Sequence, residues 1–126
     1  MQINCRSINK SITNYYTLLE NVRTDVIAVT ETWLTIDNAK DIYIPGYHFE
    51  YRCRNDRVGG GVGPFIKDGI VLNVLPVTFD DYDVFECIFV EISVANSKNI
   101  IVGSVYRPPD TNQFFLILSF QEHFNV

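Results

Sequence analysis

The 126-residue sequence lacks most features of a secreted, zinc-stapled or membrane protein. Its cysteines, Cys5, Cys53 and Cys87, form an odd number with no CxxC pair, which argues against a disulfide framework and a structural zinc site. No apolar stretch approaches the roughly 20 residues that a membrane-spanning helix needs, and no apolar leader precedes the first predicted strand. We therefore expect an intracellular chain without a membrane partner, whose cysteines are reduced and buried as small apolar side chains.

An excess of positive charge is also absent. Ten Lys and Arg against fifteen Asp and Glu give a net charge of -5 at pH 7, whereas a domain that binds nucleic acid through bulk charge is normally basic. Any nucleic-acid contact must therefore be local. The candidate is a basic hairpin with Arg52, Arg54 and Arg57 within six positions, followed later by an acidic stretch that includes Glu86. A solvated turn between two strands explains these arginines equally well.

What the chain does contain is an apolar content of 47%, enough for a buried core. From Ile12, apolar residues recur with helical spacing, which predicts a helix over 11–23, capped by Ser11 or Thr13. The unbroken run VIAV after Asp25 predicts a strand covered on both faces. Together with a short strand at the start of the chain, these elements form a strand-helix-strand crossover unit.

The second half of the chain predicts strands. Turn residues alternating with aromatic and β-branched residues over 44–69 predict a hairpin, and three more strands follow in 71–77, 85–92 and 99–107. The strand in 85–92 is apolar on both faces and is expected to be central. Pro64 lies within a predicted strand, and since proline cannot donate to a ladder, either an edge position or local damage to the sequence is expected there. The tail, 112–124, is a helix candidate. These elements indicate an α/β fold.

Three polar residues end predicted strands, where sites in α/β sheets collect. Asn4 follows the first strand, Glu31 the second and Tyr106 the last. One amide, one carboxylate and one phenol suit a hard cation and a phosphate better than a nucleophile-base pair. On spacing alone, a capping or turn carboxylate is the favoured alternative for Glu31.

The GGGVG stretch lacks the Lys-Ser/Thr of a phosphate loop, and we therefore assign it a structural role.

The words NCRSI, ETWL, IPGY, GGGVG and YRPP follow one another in this chain. In combination they resemble the endonuclease/exonuclease/phosphatase superfamily, and within it the endonuclease domain of LINE-type, non-LTR retrotransposons of the jockey-like groups. The resemblance spans roughly residues 2 to 112, and ETWL with YRPP is its specific part. It implies a partial four-layer α/β/β/α sandwich of the deoxyribonuclease type with mixed, mainly antiparallel sheets. Residues 1–126 would be the amino-terminal half of a single such domain.

The resemblance also implies roles for the strand-end residues. Glu31 would bind Mg²⁺ or Mn²⁺, Asn4 would hydrogen-bond near the metal and the scissile phosphate, and Tyr106 would donate to a phosphate oxygen. A metal with convergent donors neutralises the charge that builds during phosphodiester hydrolysis. The expected phosphate and DNA contacts are Arg6, Arg107, Arg52, Arg54 and Arg57. For Arg107, a surface arginine that fixes the following turn is an equally good interpretation.

The sequence motifs that carry the rest of the catalytic residues in this family are not found in these 126 residues. The family has a G-D-F-N segment and a carboxy-terminal Asp-His pair, and neither His48 nor His123 lies in a matching context. Without a general base the attacking water is not activated. We therefore expect a fragment of a Mg²⁺-dependent DNA endonuclease, inactive by itself, nuclear when acting on DNA and joined to a reverse-transcriptase domain in the full-length element. A non-catalytic remnant or nucleic-acid-binding module is the alternative, and a phosphoesterase acting on a small or lipid substrate is a weaker one.

Overall fold

A computed structural model describes residues 1–54, 59–76 and 86–107. The predicted tail helix over 112–124 and Arg57 lie outside the described residues. No helix within these ranges is long and apolar enough to cross a membrane. The described elements are, in chain order, β1 (Gln2–Asn4), α1 (Ile8–Asn21), β2 (Val26–Thr30), α2 (Ile36–Ala39), β3 (Tyr47–Phe49), β4 (Val62–Lys67), β5 (Leu72–Val74), β6 (Glu86–Ile92) and β7 (Ile100–Tyr106).

The first sheet has four strands in the order β1-β2-β4-β3. β1 and β2 are parallel, as the predicted crossover through α1 requires, and the other pairs are antiparallel. Alternate residues of β2 face opposite sides: Ile27 and Val29 join the core beneath α1, whereas Val26 packs toward the second sheet. Both faces of β2 are thus covered, which confirms the strand predicted from the unbroken apolar run.

The second sheet has three antiparallel strands in the order β5-β6-β7. β6 is its central strand, as its two apolar faces predicted. Ile66 of β4 packs against Val90 and Ile92 of β6, so the two sheets lie face to face with apolar side chains between them. Helix α1, the first sheet and the second sheet are three successive layers of the predicted sandwich, and the sheets are mixed and mainly antiparallel. The predicted fold class is confirmed.

Helix α1 begins earlier than its periodicity indicated. It starts at Ile8 rather than at residue 11, and its N-cap is Ser7, whose side chain makes no capping hydrogen bond. The predicted caps, Ser11 and Thr13, are therefore wrong. The Ile8 N–H donates instead to the Thr32 carbonyl at 3.0 Å, and the Ile8 side chain is fully buried. A backbone partner from another loop replaces the side-chain cap, a substitution that local sequence cannot reveal.

Pro64 does not lie at a sheet edge, contrary to expectation. Its strand, β4, has β2 on one side and β3 on the other. The Glu50 N–H donates to the Pro64 carbonyl at 3.1 Å, but proline has no N–H to return. The β3-β4 ladder accordingly ends at Phe49 and resumes only as the isolated bridge between Arg52 and Val62. The proline shortens β3 rather than excluding β4 from the interior of the sheet.

Truncating Phe65 tests the core beneath α1. Its side chain is 1% exposed and stacks on Phe49 with ring centroids 4.2 Å apart. Phe65→Ala is expected to lower the free energy of unfolding by about 3–5 kcal/mol, measured by urea denaturation. Ile36→Ala, at a side chain that is 60% exposed, is the control and should change it by less than about 0.5 kcal/mol. Equal midpoints for the two variants would contradict the described core.

Candidate active site

The three strand-end residues chosen from the sequence meet in the folded chain. Asn4 ends β1 and Glu31 follows β2, and because these strands are parallel with Asn4 opposite Thr30, both side chains lie at the same sheet edge. Asn4 Nδ2 donates to Glu31 Oε1 at 3.1 Å. Tyr106, at the end of β7 in the other sheet, lies close enough to Glu31 for the carboxylate to raise the pKa of its phenol. The two sheets thus bring an amide, a carboxylate and a phenol to one place.

The environment of Tyr106 keeps its phenol protonated. Burial raises the pKa of Tyr106, the negative charges of Glu31 and Glu86 and the hydrogen bond to Glu31 raise it further, and only Arg54 lowers it. A phenol whose pKa lies above its ordinary value near 10 retains its proton at neutral pH. Tyr106 is therefore a hydrogen-bond donor at this site rather than a base.

The backbone around these residues is unusual. Five non-glycine residues in the described ranges have a positive φ, and four of them follow β1 or β2: Arg6 at 42°, Ser7 at 82°, Glu31 at 53° and Trp33 at 55°. Such conformations cost energy and persist only where surrounding contacts impose them. Here Cys5 N–H donates to the Thr30 carbonyl at 2.9 Å and Ser7 N–H to the Glu31 carbonyl at 3.0 Å. The two loops hold each other in the strained form.

The glycine stretch lies on the other side of the Glu31 loop. Thr32 N–H donates to the Gly61 carbonyl at 3.2 Å and Trp33 N–H to the Gly60 carbonyl at 2.9 Å. Gly61 has a φ of 87°, which side chains rarely adopt, and a Cβ there would lie 2.2 Å from Thr32 Oγ1, so Thr32 would have to shift. The glycines thus have the structural role assigned to GGGVG, because they permit this close approach.

Arg52 and Arg54 do not form the solvated hairpin turn that their spacing suggested. Arg52 Nη1 donates to the Cys87 carbonyl at 3.3 Å, and Arg54 Nε is hydrogen-bonded to Glu86 Oε1. Both arginines are only partly exposed because they turn toward β6. Among the residues expected to contact DNA, Arg6 and Arg107 are exposed and adjoin the site loops.

Glu86 is the residue near this site whose position the sequence analysis missed. Although Glu86 belongs to an acidic stretch of the sequence, its side chain is 4% exposed, pairs with Arg54 and accepts a hydrogen bond from Gly61 N–H at 2.7 Å. The signal was present: Glu86 shares a face of β6 with Ile88, Val90 and Ile92, and a carboxylate on an apolar face must be paired.

The donors present fit part of a divalent-cation site. Within residues 1–54, 59–76 and 86–107, no three His, Cys, Asp or Glu side chains converge as a ready metal cage. Mg²⁺, however, is commonly held by one or two carboxylates and keeps several waters. Glu31, partly exposed and oriented by Asn4, has the chemistry of one such ligand. His48 is not near it, since it pairs with Ile66 at the opposite end of the sheet and contacts Glu50 at 2.5 Å.

None of the cysteines is an activated nucleophile. Burial raises the pKa of the Cys5 and Cys53 thiols and raises that of Cys87 to about 11. Only the thiolate attacks or binds a metal effectively, and raised values leave little of it at neutral pH. The cysteines are free, with Cys5 and Cys87 buried as predicted and Cys53 half-buried.

The described architecture is similar to a solved structure. A crystal structure of an AP endonuclease from Leishmania major matches 98% of this chain with a TM-score of 0.69 and 16% sequence identity. This chain therefore has an AP endonuclease-like fold. It spans 44% of the length of that AP endonuclease, and at this identity the likeness shows the fold alone. No protein-family model and no curated protein matches the sequence.

Neutralising Glu31 tests its contact with Tyr106. Because the carboxylate raises the pKa of Tyr106 through its charge and hydrogen bond, Glu31→Gln is expected to lower that pKa. The measurement is a pH titration by NMR of the chain labelled with ¹³Cζ-tyrosine, with the Tyr106 signal assigned through Tyr106→Phe. The matched control is Glu91→Gln, at a half-buried β6 carboxylate bonded to Asn99, which should leave Tyr106 unchanged. An identical Tyr106 titration in Glu31→Gln would show that the two side chains do not meet.

Proposed function

We propose that this chain forms the metal-binding side of a phosphodiesterase centre that cuts DNA. The observation that supports it is the convergence of Asn4, Glu31 and Tyr106 at one edge where both sheets meet. These three residues lie in sequence motifs that resemble those of endonucleases, and the fold is similar to that of a protein named as an AP endonuclease. The choice of residues and the fold likeness both support this proposal.

Each residue has a role that its environment suits. Glu31 would hold Mg²⁺ or Mn²⁺, and Asn4 fixes the orientation of that carboxylate by donating to Oε1. When bound, the metal supplies Lewis-acid stabilisation of the charge that develops on the phosphate oxygens. Tyr106 keeps its proton and can donate to a non-bridging oxygen in place of its present partner.

The rest of the catalytic set would come from elsewhere in the domain. The described residues around Glu31 include no histidine, and the sequence has no G-D-F-N segment. The chain spans 44% of the length of the AP endonuclease that it is similar to, so we place the general base in the remaining part of such a domain. On this proposal residues 1–126 are its amino-terminal half and are inactive alone.

The substrate would be target DNA nicked in the nucleus by a LINE-type retrotransposon protein, with a reverse-transcriptase domain on the full-length polypeptide. Support comes from the sequence words and where they lie: ETWL carries Glu31, and YRPP carries Tyr106. Because the net charge is -5, phosphate contacts must be local, and the exposed Arg6 and Arg107 flank the site.

A DNA-binding module without cleavage is the second candidate, and Trp33 is the observation that favours it. The indole follows Glu31 by two residues and is 40% exposed, so an apolar ring lies in the same stretch of loops as Arg6. Aromatic stacking combined with arginine contacts suits binding of single-stranded nucleic acid. As the chain has one tryptophan, quenching of its fluorescence by DNA reports this contact directly. Salt-sensitive quenching without any cleavage would favour the module.

Supercoiled-plasmid nicking tests the enzymatic proposal. The chain is joined to the remaining half of its domain and assayed with Mg²⁺. Glu31→Ala is expected to lower kcat by about 10²–10³-fold, the range for losing one preorganised electrostatic contact, whereas Glu91→Ala on β6 should nick at the unmodified rate. Equal nicking by the Glu31→Ala protein would remove Glu31 from the mechanism.

A further inference from the structure

A largely buried ion pair links the second sheet to the segment before the glycine stretch, beside the candidate site. Glu86, on β6, is 4% exposed and Arg54, which precedes the glycine stretch, is 15% exposed. Removing two charges from water is costly, and apolar residues of similar size often pack at least as well as a buried ion pair. A contribution to folding stability is therefore a weak explanation for this pair. The contacts of Glu86 indicate a different role.

Glu86 is connected to the loop that carries Glu31. Its Oε2 accepts from Gly61 N–H at 2.7 Å, and the carbonyls of Gly60 and Gly61 accept from Trp33 and Thr32. The carboxylate thus anchors the segment that holds the two residues directly after Glu31. The fit is close, because a Cβ on Gly60 would lie 2.5 Å from both Arg54 Nε and Glu86 Oε2.

Glu86 is also the direct cross-strand partner of Tyr106. The two residues face each other in the β6-β7 register, so their side chains lie on the same face of the second sheet about 5 Å apart at Cβ. The charges of Arg54, Glu86 and Glu31 all act on the Tyr106 phenol. One carboxylate therefore binds the segment that supports Glu31 and lies opposite Tyr106 in the neighbouring strand.

We propose that Glu86, held by Arg54, is a positioning residue that places Glu31 of the first sheet against Tyr106 of the second. Glu86 itself does not touch the substrate. Its Gly61 contact fixes the Glu31 loop, and its place on β6 fixes that loop relative to β7. The proposed contribution to catalysis rests on the phosphodiesterase function above, whereas the placement of the two side chains does not.

The test asks whether Tyr106 still senses Glu31 when the pair is removed. The double variant Glu86→Leu with Arg54→Leu replaces the ion pair by apolar side chains. In the ¹³Cζ-tyrosine-labelled 126-residue chain, Glu31→Gln is made in both backgrounds. We expect it to shift the Tyr106 signal in the unmodified background and to shift it by less than half as much in the double variant. The same comparison with Glu91→Leu, on the same strand, should retain the full shift. An equal Tyr106 shift in the double variant would overturn the proposal.

Glu86→Ala is run in parallel because it removes the acceptor of the Gly61 N–H with a smaller change. The Tyr106 shift caused by Glu31→Gln is again expected to fall by more than half, and an equal shift in Glu86→Ala overturns the proposal if the double variant does not fold. In the nicking assay with the completed domain, the double variant is expected to lose about 10²-fold in kcat, as misplacement of about 1 Å does, with little change in KM. A change in KM alone would assign Arg54 to DNA binding and contradict positioning. If the unmodified protein does not nick DNA, the proposed function fails, but the NMR comparison still decides the placement.

Discussion

The backbone hydrogen bonds on both sides of the Glu31–Trp33 segment are the constraint on which the rest of the site depends. On one side, the segment following β1 donates from Ser7 and Ile8 to the carbonyls of Glu31 and Thr32. On the other side, Thr32 and Trp33 donate to the glycine stretch. Held on both sides, Glu31 keeps a left-handed conformation that it would otherwise leave. A carboxylate fixed in this way is oriented before any ligand arrives, which is what an electrostatic site requires.

The second sheet is coupled to this arrangement through charge. Glu86 reaches across to the glycine stretch and to Arg54, and its strand neighbour Tyr106 reaches across to Glu31. Both links cross between the layers at the same end of the sheets. The apolar contacts of Ile66 with Val90 and Ile92 hold the layers together, but they do not set the relative position of polar groups. The polar links give the site a geometry that hydrophobic packing alone does not specify.

Much of this arrangement could be predicted from the sequence, because it follows local patterns. The apolar run in β2 and the two apolar faces of β6 identified strands and their burial, and strand ends identified Asn4, Glu31 and Tyr106. The errors arose where distant backbone replaced a local signal. Helix α1 begins at Ile8 because Thr32 supplies its partner, and Pro64 enters an inner strand by interrupting only one ladder. Arg54 and Glu86 are far apart in the chain, so their charges indicated exposed segments rather than an ion pair.

The central claim, that Glu31 binds a divalent cation beside Tyr106, is tested most directly by paramagnetic broadening. Mn²⁺ is titrated into the ¹³Cζ-tyrosine-labelled chain, and each tyrosine signal is followed by NMR. We predict that the Tyr106 signal broadens first and that Glu31→Gln abolishes this preference. The signals of Tyr43 and Tyr47, which line a cavity with His48, should broaden far less. Broadening that is uniform, strongest elsewhere or unaffected by Glu31→Gln would contradict it.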